Sequence, residues 1–209
     1  MRGGRAGGYA DGMSAPVVDG VVLAAGQSTR MERPKPLLMA GSATFIERAL
    51  KTLRRGGCRR IYVVANADAT WTRDVSGDDV EVVVNQYADS EPIDSLRLVL
   101  DRVPNDTAAL IVLPVDLPLV SEETATALVR SFRENPGPLI LPFHNGVAGH
   151  PVVVGRELFR DILTRHLDEG LRTLIMEHAR TLREVKVMDP GILIDIDTPD
   201  DYWRFIETK

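Results

Sequence analysis

Two cations and three acidic residues flank short apolar runs in a spacing suited to polyanion and metal chemistry. The first group lies in Leu23-Ala24-Ala25-Gly26-Gln27-Ser28-Thr29-Arg30-Met31-Glu32-Arg33-Pro34-Lys35, directly after the apolar run Val17 to Ala25. Ala24, Ala25 and Gly26 are small enough for a ligand to approach the backbone and collect N–H hydrogen bonds. Arg30 supplies a planar, permanently charged fork that matches phosphate oxygens, and Lys35 supplies a mobile point charge five residues later. Together they suit the triphosphate of a nucleotide. The segment is neither a GxGxxG fingerprint nor a Walker A loop. Taken as a generic loop, its Arg and Lys would simply face water.

The acidic groups come later. Asp116 ends an apolar run and is bracketed by prolines in Leu113-Pro114-Val115-Asp116-Leu117-Pro118. Mg²⁺ takes hard oxygen ligands, usually one or two carboxylates completed by phosphates and water. Asp116 fits that role, and equally that of a turn aspartate satisfying backbone N–H groups. Asp195-Ile196-Asp197 is expected to alternate along a strand, putting both carboxylates on one face. Like charges so placed repel without a cation between them. Asp197 also precedes Thr198 and could support a helix start.

The elements that carry these groups alternate. Buried strands are expected at Val17 to Ala25, Ile61 to Ala65, Val80 to Val84 and Ala109 to Leu113, each rich in β-branched residues. Shorter strands are expected at Leu139 to Leu141, Val152 to Val154, Leu182 to Val187 and Ile192 to Ile196. Helical spacing runs through Ile46, Ala49, Leu50 and Leu53, ended by Gly56-Gly57. It recurs through Ile93, Leu96, Leu100 and Val103, and after an N-cap at Ser121. Further helices are expected near Leu158 to Leu163, Leu171 to His178 and from Pro199, capped by Thr198. Strands alternating with helices predict an α/β fold: one Rossmann-like, mostly parallel central sheet with helices on both faces. Trp71, Tyr202 and Trp203 are expected in packing, and His178 in a core.

Composition narrows the classes. The chain has 209 residues, enough for a single such domain, expected over residues 17–209 after a glycine-rich disordered tail at 1–16 in which Met13 is a second candidate start. With 44% hydrophobic and 26% charged residues it has the profile of a globular protein. A net charge of −5 argues against nucleic acid or an anionic membrane as partner. A single cysteine, Cys58, excludes an internal disulfide framework and points to a reducing, cytoplasmic setting. No apolar run approaches the ~20 residues a membrane helix needs.

The segment LAAGQSTRMERPKPLL resembles the LAAGxSxRMGxxKxLL signature of the MobA-like NTP transferases, the molybdenum cofactor cytidylyl- and guanylyltransferases. The resemblance continues through Asp116, similar to the family's ADMP segment, to the DIDTPDDY ending, similar to DIDTPEDY, and spans residues 17–207. It implies a fold of the nucleotide-diphospho-sugar transferase type. It further implies that Leu23, Ala24, Ala25, Gly26, Ser28, Arg30, Lys35 and Ser95 bind the nucleotide, with Arg30, Lys35 and Asp116 in catalysis. Asp116 and Asp197 would hold Mg²⁺.

Gly149-His150-Pro151 is similar to the cytidylyl branch's GHP motif, and Gly170-Leu171-Arg172 to a family GAR segment. His150, Arg172 and Asp195 would then face the acceptor. Ala24-Ala25 is similar to the cytidylyl branch, where the guanylyl branch carries LAGG, so CTP is the expected NTP. The implied acceptor is a small phosphorylated molecule, molybdopterin, and the implied protein partner a molybdoenzyme. Glu32 stands where the signature has glycine, and Glu91-Pro92 replaces a glycine before Ser95-Leu96-Arg97. The alternatives are a sugar-1-phosphate nucleotidylyltransferase and a non-catalytic accessory protein that binds the cofactor.

Overall fold

The computed structural model describes residues 14–26, 31, 33–75, 77–87 and 90–207. The expected tail falls almost wholly outside them, as do Ser28, Arg30 and Glu32. The strands are β1 (Val17–Ala24), β2 (Met39–Ala40), β3 (Ala43–Thr44), β4 (Ile61–Asn66), β5 (Val80–Asn85), β6 (Thr107–Pro114), β7 (Leu139–His144), β8 (Val147–Ala148), β9 (Val152–Gly155) and β10 (Arg183–Lys186). The α-helices are α1 (Phe45–Gly56), α2 (Pro92–Leu100), α3 (Glu122–Glu134), α4 (Phe159–Thr164), α5 (Leu171–Glu177) and α6 (Pro199–Tyr202).

The main sheet runs β10-β7-β9-β6-β1-β4-β5, with β8 paired to β7. β5, β4, β1 and β6 are mutually parallel, whereas β9 is antiparallel to both its neighbours. From β1 the chain builds outward through α1, β4 and β5, then α2 returns it to the other side of β1 as β6. The strand order therefore reverses between β1 and β6. Loops leaving the carboxyl ends of these two strands diverge there and open a crevice, the usual ligand position in an open α/β sheet.

Alternation along the strands fills both faces. Val18, Val22, Ile111 and Leu113 pack with Phe45, Leu50 and Leu53 of α1 and Leu128 and Phe132 of α3. Val21, Tyr62, Leu110 and Val112 pack on the other face with Leu96 of α2, Ile162 of α4 and Leu174 of α5. α1 begins with a reciprocal cap between Thr44 and Glu47 and ends at Gly57, whose φ of 91° only glycine adopts without strain. At the sheet's other edge, fully buried Asp19 accepts hydrogen bonds from Arg59, Thr107 and the Arg60 backbone. A buried carboxylate is tolerable only with such pairing.

The expected strand at 192–196 does not form. Pro190–Leu193 makes a short 3-10 helix followed by irregular chain. Asp189 accepts hydrogen bonds from Gly191 N at 2.9 Å, Ser121 N at 2.8 Å and Thr124 Oγ at 2.7 Å, tying the segment to the start of α3. Gly191 lies so close to Leu119 that a Cβ would sit 2.2 Å from its carbonyl oxygen. This anchoring overrides the β propensity of the isoleucines. Three smaller differences accompany it. Val103 lies beyond the end of α2, Trp203 is exposed, and the small hairpin β2–β3 had no signal in the apolar pattern. Trp71 is buried as expected, and Tyr202 packs on Phe45. No helix among the described residues is long and apolar enough to cross a membrane.

Candidate active site

The crevice at the strand reversal holds a cavity of about 360 Å³ whose walls include Leu23, Ala24, Ala25, Gly26, Lys35, Ser95, Asp116 and Asp197. Every expected nucleotide or metal residue that is described therefore meets in one place. Ser28 and Arg30 lie outside the described residues. Five separate stretches of chain line the cavity, at 23–26, 35–36, 90–95, 114–116 and 197, and three of them have a plain local reason for their position. β1 delivers the small residues at its carboxyl end. Pro34 and Pro36 bracket Lys35, which starts a 3-10 turn, Lys35–Leu37, and turns its side chain inward. β6 carries the chain to Pro114, and the turn after it presents Asp116.

Lys35 is the centre of the arrangement. Its Nζ lies 3.4 Å from Asp116 Oδ2 and donates a second hydrogen bond to Asp197 Oδ1. Burial pushes the Asp116 carboxyl above its ordinary pKa; Lys35 opposes the rise and Asp197 reinforces it. Two carboxylates brought together in a recess need positive charge between them. The ammonium supplies one, and the same hard oxygens suit a divalent cation. Among the described residues no group of three His, Cys, Asp or Glu side chains is placed to hold a metal. A cation here would draw its remaining ligands from substrate or water.

Asp195 and Asp197 do not share a strand face. Asp197 lines the recess with Lys35, whereas Asp195 lines a second cavity. Ile196 N donates to the Asp116 carbonyl at 2.8 Å, so the segment braces the end of β6 in place of a ladder. Asp201 Oδ2 accepts from Thr198 N at 2.9 Å, Thr198 Oγ at 2.7 Å and Asp197 N at 3.3 Å. The α6 cap thereby also fixes the backbone of Asp197.

The second cavity, about 910 Å³, shares Leu23, Pro92, Pro114 and Asp116 with the first and is also lined by His150, Arg172 and Asp195. All three residues expected on the acceptor side thus fall there. His150 lines this cavity. Desolvation there lowers its pKa, against the opposing charges of Asp116 and Asp195. Arg172 pairs with Glu169 at 2.9 Å.

Sequence reasoning missed the supports. Asn85 Nδ2 donates to Ser90 Oγ at 2.7 Å and Ser95 Oγ at 3.1 Å, fixing two hydroxyls of the smaller cavity. Asn85 ends β5 with no motif around it, so only its burial reveals it. Arg97 turns away to the carbonyls of Ile162 and Arg165, where it ties α2 to α4. His178 is half-buried, with Nδ1 3.1 Å from the Leu174 carbonyl oxygen.

A parallel β5-β4-β1-β6 core, reversed at a crevice that gathers a lysine and two carboxylates, defines a nucleotidyltransferase fold of the Rossmann-like type. Residues 20–182 match the model of the MobA-like NTP transferase domain. The chain belongs to that family and is a nucleotidyltransferase related to molybdenum cofactor transferases.

It is 25% identical to the molybdenum cofactor cytidylyltransferase of Escherichia coli, over 88% of this chain and 93% of the relative. It is 29% identical to a protein of Paenarthrobacter nicotinovorans named nicotine blue oxidoreductase, over 91% and 97% respectively. The crystal structure of Rv0371c from Mycobacterium tuberculosis in complex with manganese superposes with a TM-score of 0.77 at 28% identity. The match covers 92% of this chain and all of that one.

Proposed function

We propose that the protein transfers a nucleoside monophosphate, CMP from CTP, onto the phosphate of a small acceptor and releases pyrophosphate. The observation that carries this reading is Lys35 held between Asp116 and Asp197 in the cavity walled by residues 23–26. An acceptor phosphate oxygen forms a bond to the α-phosphorus of the NTP, and the bond from that phosphorus to the α–β bridging oxygen breaks. Both reactants are anions, so the protein's contribution is positioning and charge compensation.

Asp116 and Asp197 would hold Mg²⁺, and the manganese complex of the relative supports a divalent cation in this family. When bound, the ion supplies Lewis-acid stabilisation of charge on the phosphate oxygens. Lys35 moves from the carboxylates to the α-phosphate side, and Arg30 neutralises the β/γ end. Backbone N–H groups of residues 24–26 face the phosphates, and Ser95, held by Asn85, lies on the base and ribose side. Asp116 stands between the two cavities, so an acceptor in the larger one would meet the nucleotide beside it.

CTP is favoured by Ala24-Ala25 and by the cytidylyltransferase relative. By the same relative, the acceptor is molybdopterin or its molybdenum-bearing form, and a molybdoenzyme would receive the product. The test is pyrophosphate release from CTP, GTP or UTP with purified molybdenum cofactor or a hexose 1-phosphate. The expected result is release with CTP and the cofactor; turnover of the hexose phosphate would favour a sugar nucleotidylyltransferase.

The relative named an oxidoreductase favours a second reading, in which the cleft binds a nucleotide without transferring it. Nucleotide binding with no pyrophosphate released in any combination would select that one.

A further inference from the structure

Lys35, Asp116 and Asp197 reach the smaller cavity from three distant parts of the chain. A site for a charged ligand needs such groups held to within about 0.5 Å of their working positions. Two side chains that line neither cavity, Arg48 and Tyr202, connect all three stretches through one small element, the β2–β3 hairpin. The hairpin follows the Lys35 turn directly, and its backbone makes the connection.

Three successive carbonyls leave the Lys35 turn, and each is held by a different donor. The Leu38 carbonyl accepts from Phe45 N at 2.9 Å, that of Met39 from Tyr202 Oη at 2.8 Å and that of Ala40 from Arg48 Nη1 at 3.3 Å. Arg48 Nε also donates to the Pro118 carbonyl at 2.6 Å, two residues past Asp116. Tyr202 ends α6, the helix whose cap already steadies the Asp197 backbone. Its ring packs 6.3 Å from that of fully buried Phe45. Burial and the nearby Glu207 carboxylate raise the phenol's pKa against the opposing charge of Arg33, so the hydroxyl keeps its proton and donates. The guanidinium thus ties the hairpin to the turn that carries Asp116, and the phenol ties it to the helix that follows Asp197.

A guanidinium holds its N–H groups in a rigid plane, so the Ala40 and Pro118 carbonyls cannot move apart without breaking a bond. A lysine ammonium is a point donor on a flexible stem and imposes no such spacing. We propose that Arg48 and Tyr202 are positioning residues that set the separation of Asp116 and Asp197 around a cation bound with the nucleotide. They act through the Ala40 and Met39 carbonyls and touch neither ligand. This rests on the transferase reading and deepens it by naming what holds the two carboxylates in place. Outer supports of a metal ligand are typically worth an order of magnitude in metal affinity. Because both residues act through one hairpin, freeing either side lets it shift, and their effects are coupled rather than multiplicative.

The test is paramagnetic titration of Mn²⁺ in the presence of CTP carrying a methylene at the α–β bridge, beside urea unfolding of each variant. Tyr202→Phe keeps the ring on Phe45 and removes one hydrogen bond; it is expected to weaken Mn²⁺ binding about threefold, and Arg48→Met about tenfold. Arg48→Lys keeps the charge without the fork and should stay weakened. The double variant should lose less than the product of the two single losses. Folded variants whose Mn²⁺ affinity matches the wild type, with only the unfolding midpoint moved, overturn the proposal, as does a double variant that loses the full product. Wild-type protein that shows these shifts yet releases no pyrophosphate from CTP, GTP or UTP with any acceptor would sink the transferase reading and leave the brace standing.

Discussion

Lys35 is asked to do two incompatible things, and its geometry says how the conflict is resolved. On the transferase reading it sits, between Asp116 and Asp197, where a divalent cation would bind. Free cation must therefore displace an ammonium, whereas a triphosphate offers that ammonium a new partner. Lys35→Met is expected to tighten Mn²⁺ binding without nucleotide by about tenfold, roughly 1.4 kcal/mol, while abolishing pyrophosphate release. Paramagnetic titration of free Mn²⁺ reads this directly, and equal affinities in variant and wild type would refute it.

His150 offers a second check at the same scale. Its pKa lies below the ordinary value because the cavity desolvates the ring, despite the nearby carboxylates. The folded protein resists its protonation while the unfolded chain accepts a proton at the ordinary pKa. Its contribution to stability is thus lost as pH falls below about 6.5 and levels off below the folded value. An NMR titration of the ring should show a midpoint below 6.5; one above it would contradict the placement.

The elements were legible where the apolar pattern is strong and opaque where a single tertiary contact decides. β1, β4, β5, β6, α1 and α3 follow from β-branched runs, helical spacing and caps, and they suffice to place residues 23–26 and Asp116 on one edge. The 192–196 segment departs from its pattern: Ile192, Ile194 and Ile196 look like a strand, while its conformation is set by Asp189, more than 60 residues from the Ser121 and Thr124 it binds. Local pattern carries no trace of such a partner.

The support from Asn85 to Ser95 was equally hidden, since neither residue has a motif that announces the other. By contrast the cap of α6 was readable, and its further duty follows from geometry. Asp201 steadies the Asp197 backbone as well as Thr198. Asp201→Ala should raise the concentration of Mg²⁺ needed for half-maximal activity by about tenfold, as loss of an outer support to a metal ligand does. An unchanged metal requirement, measured in the same assay, would limit Asp201 to a capping role.

Across the whole molecule, charge is separated into a stabilising edge and a reactive edge of the same sheet. Asp19, with Arg59 and Thr107, sits at the amino-terminal end of the parallel strands, opposite the crevice. Asp19→Ala should lower the unfolding free energy by about 2 kcal/mol in urea titrations and leave turnover at 25 °C unaltered, since it removes the acceptor of the buried Thr107 hydroxyl and of Arg60 N far from the cavity, while Arg59 keeps Asp106. A loss of activity larger than the loss of folded protein would show that the two edges are coupled.

At the reactive edge, residues 23–26, Lys35, the end of β6 and Asp197 close on one another from distant parts of the chain. An anomalous diffraction map of crystals grown with Mn²⁺ and the methylene CTP tests that convergence. The expected peak lies about 2.0–2.3 Å from carboxylate oxygens of both Asp116 and Asp197, with Lys35 withdrawn onto the phosphates. A peak elsewhere, with Lys35 still between the two carboxylates, would contradict it.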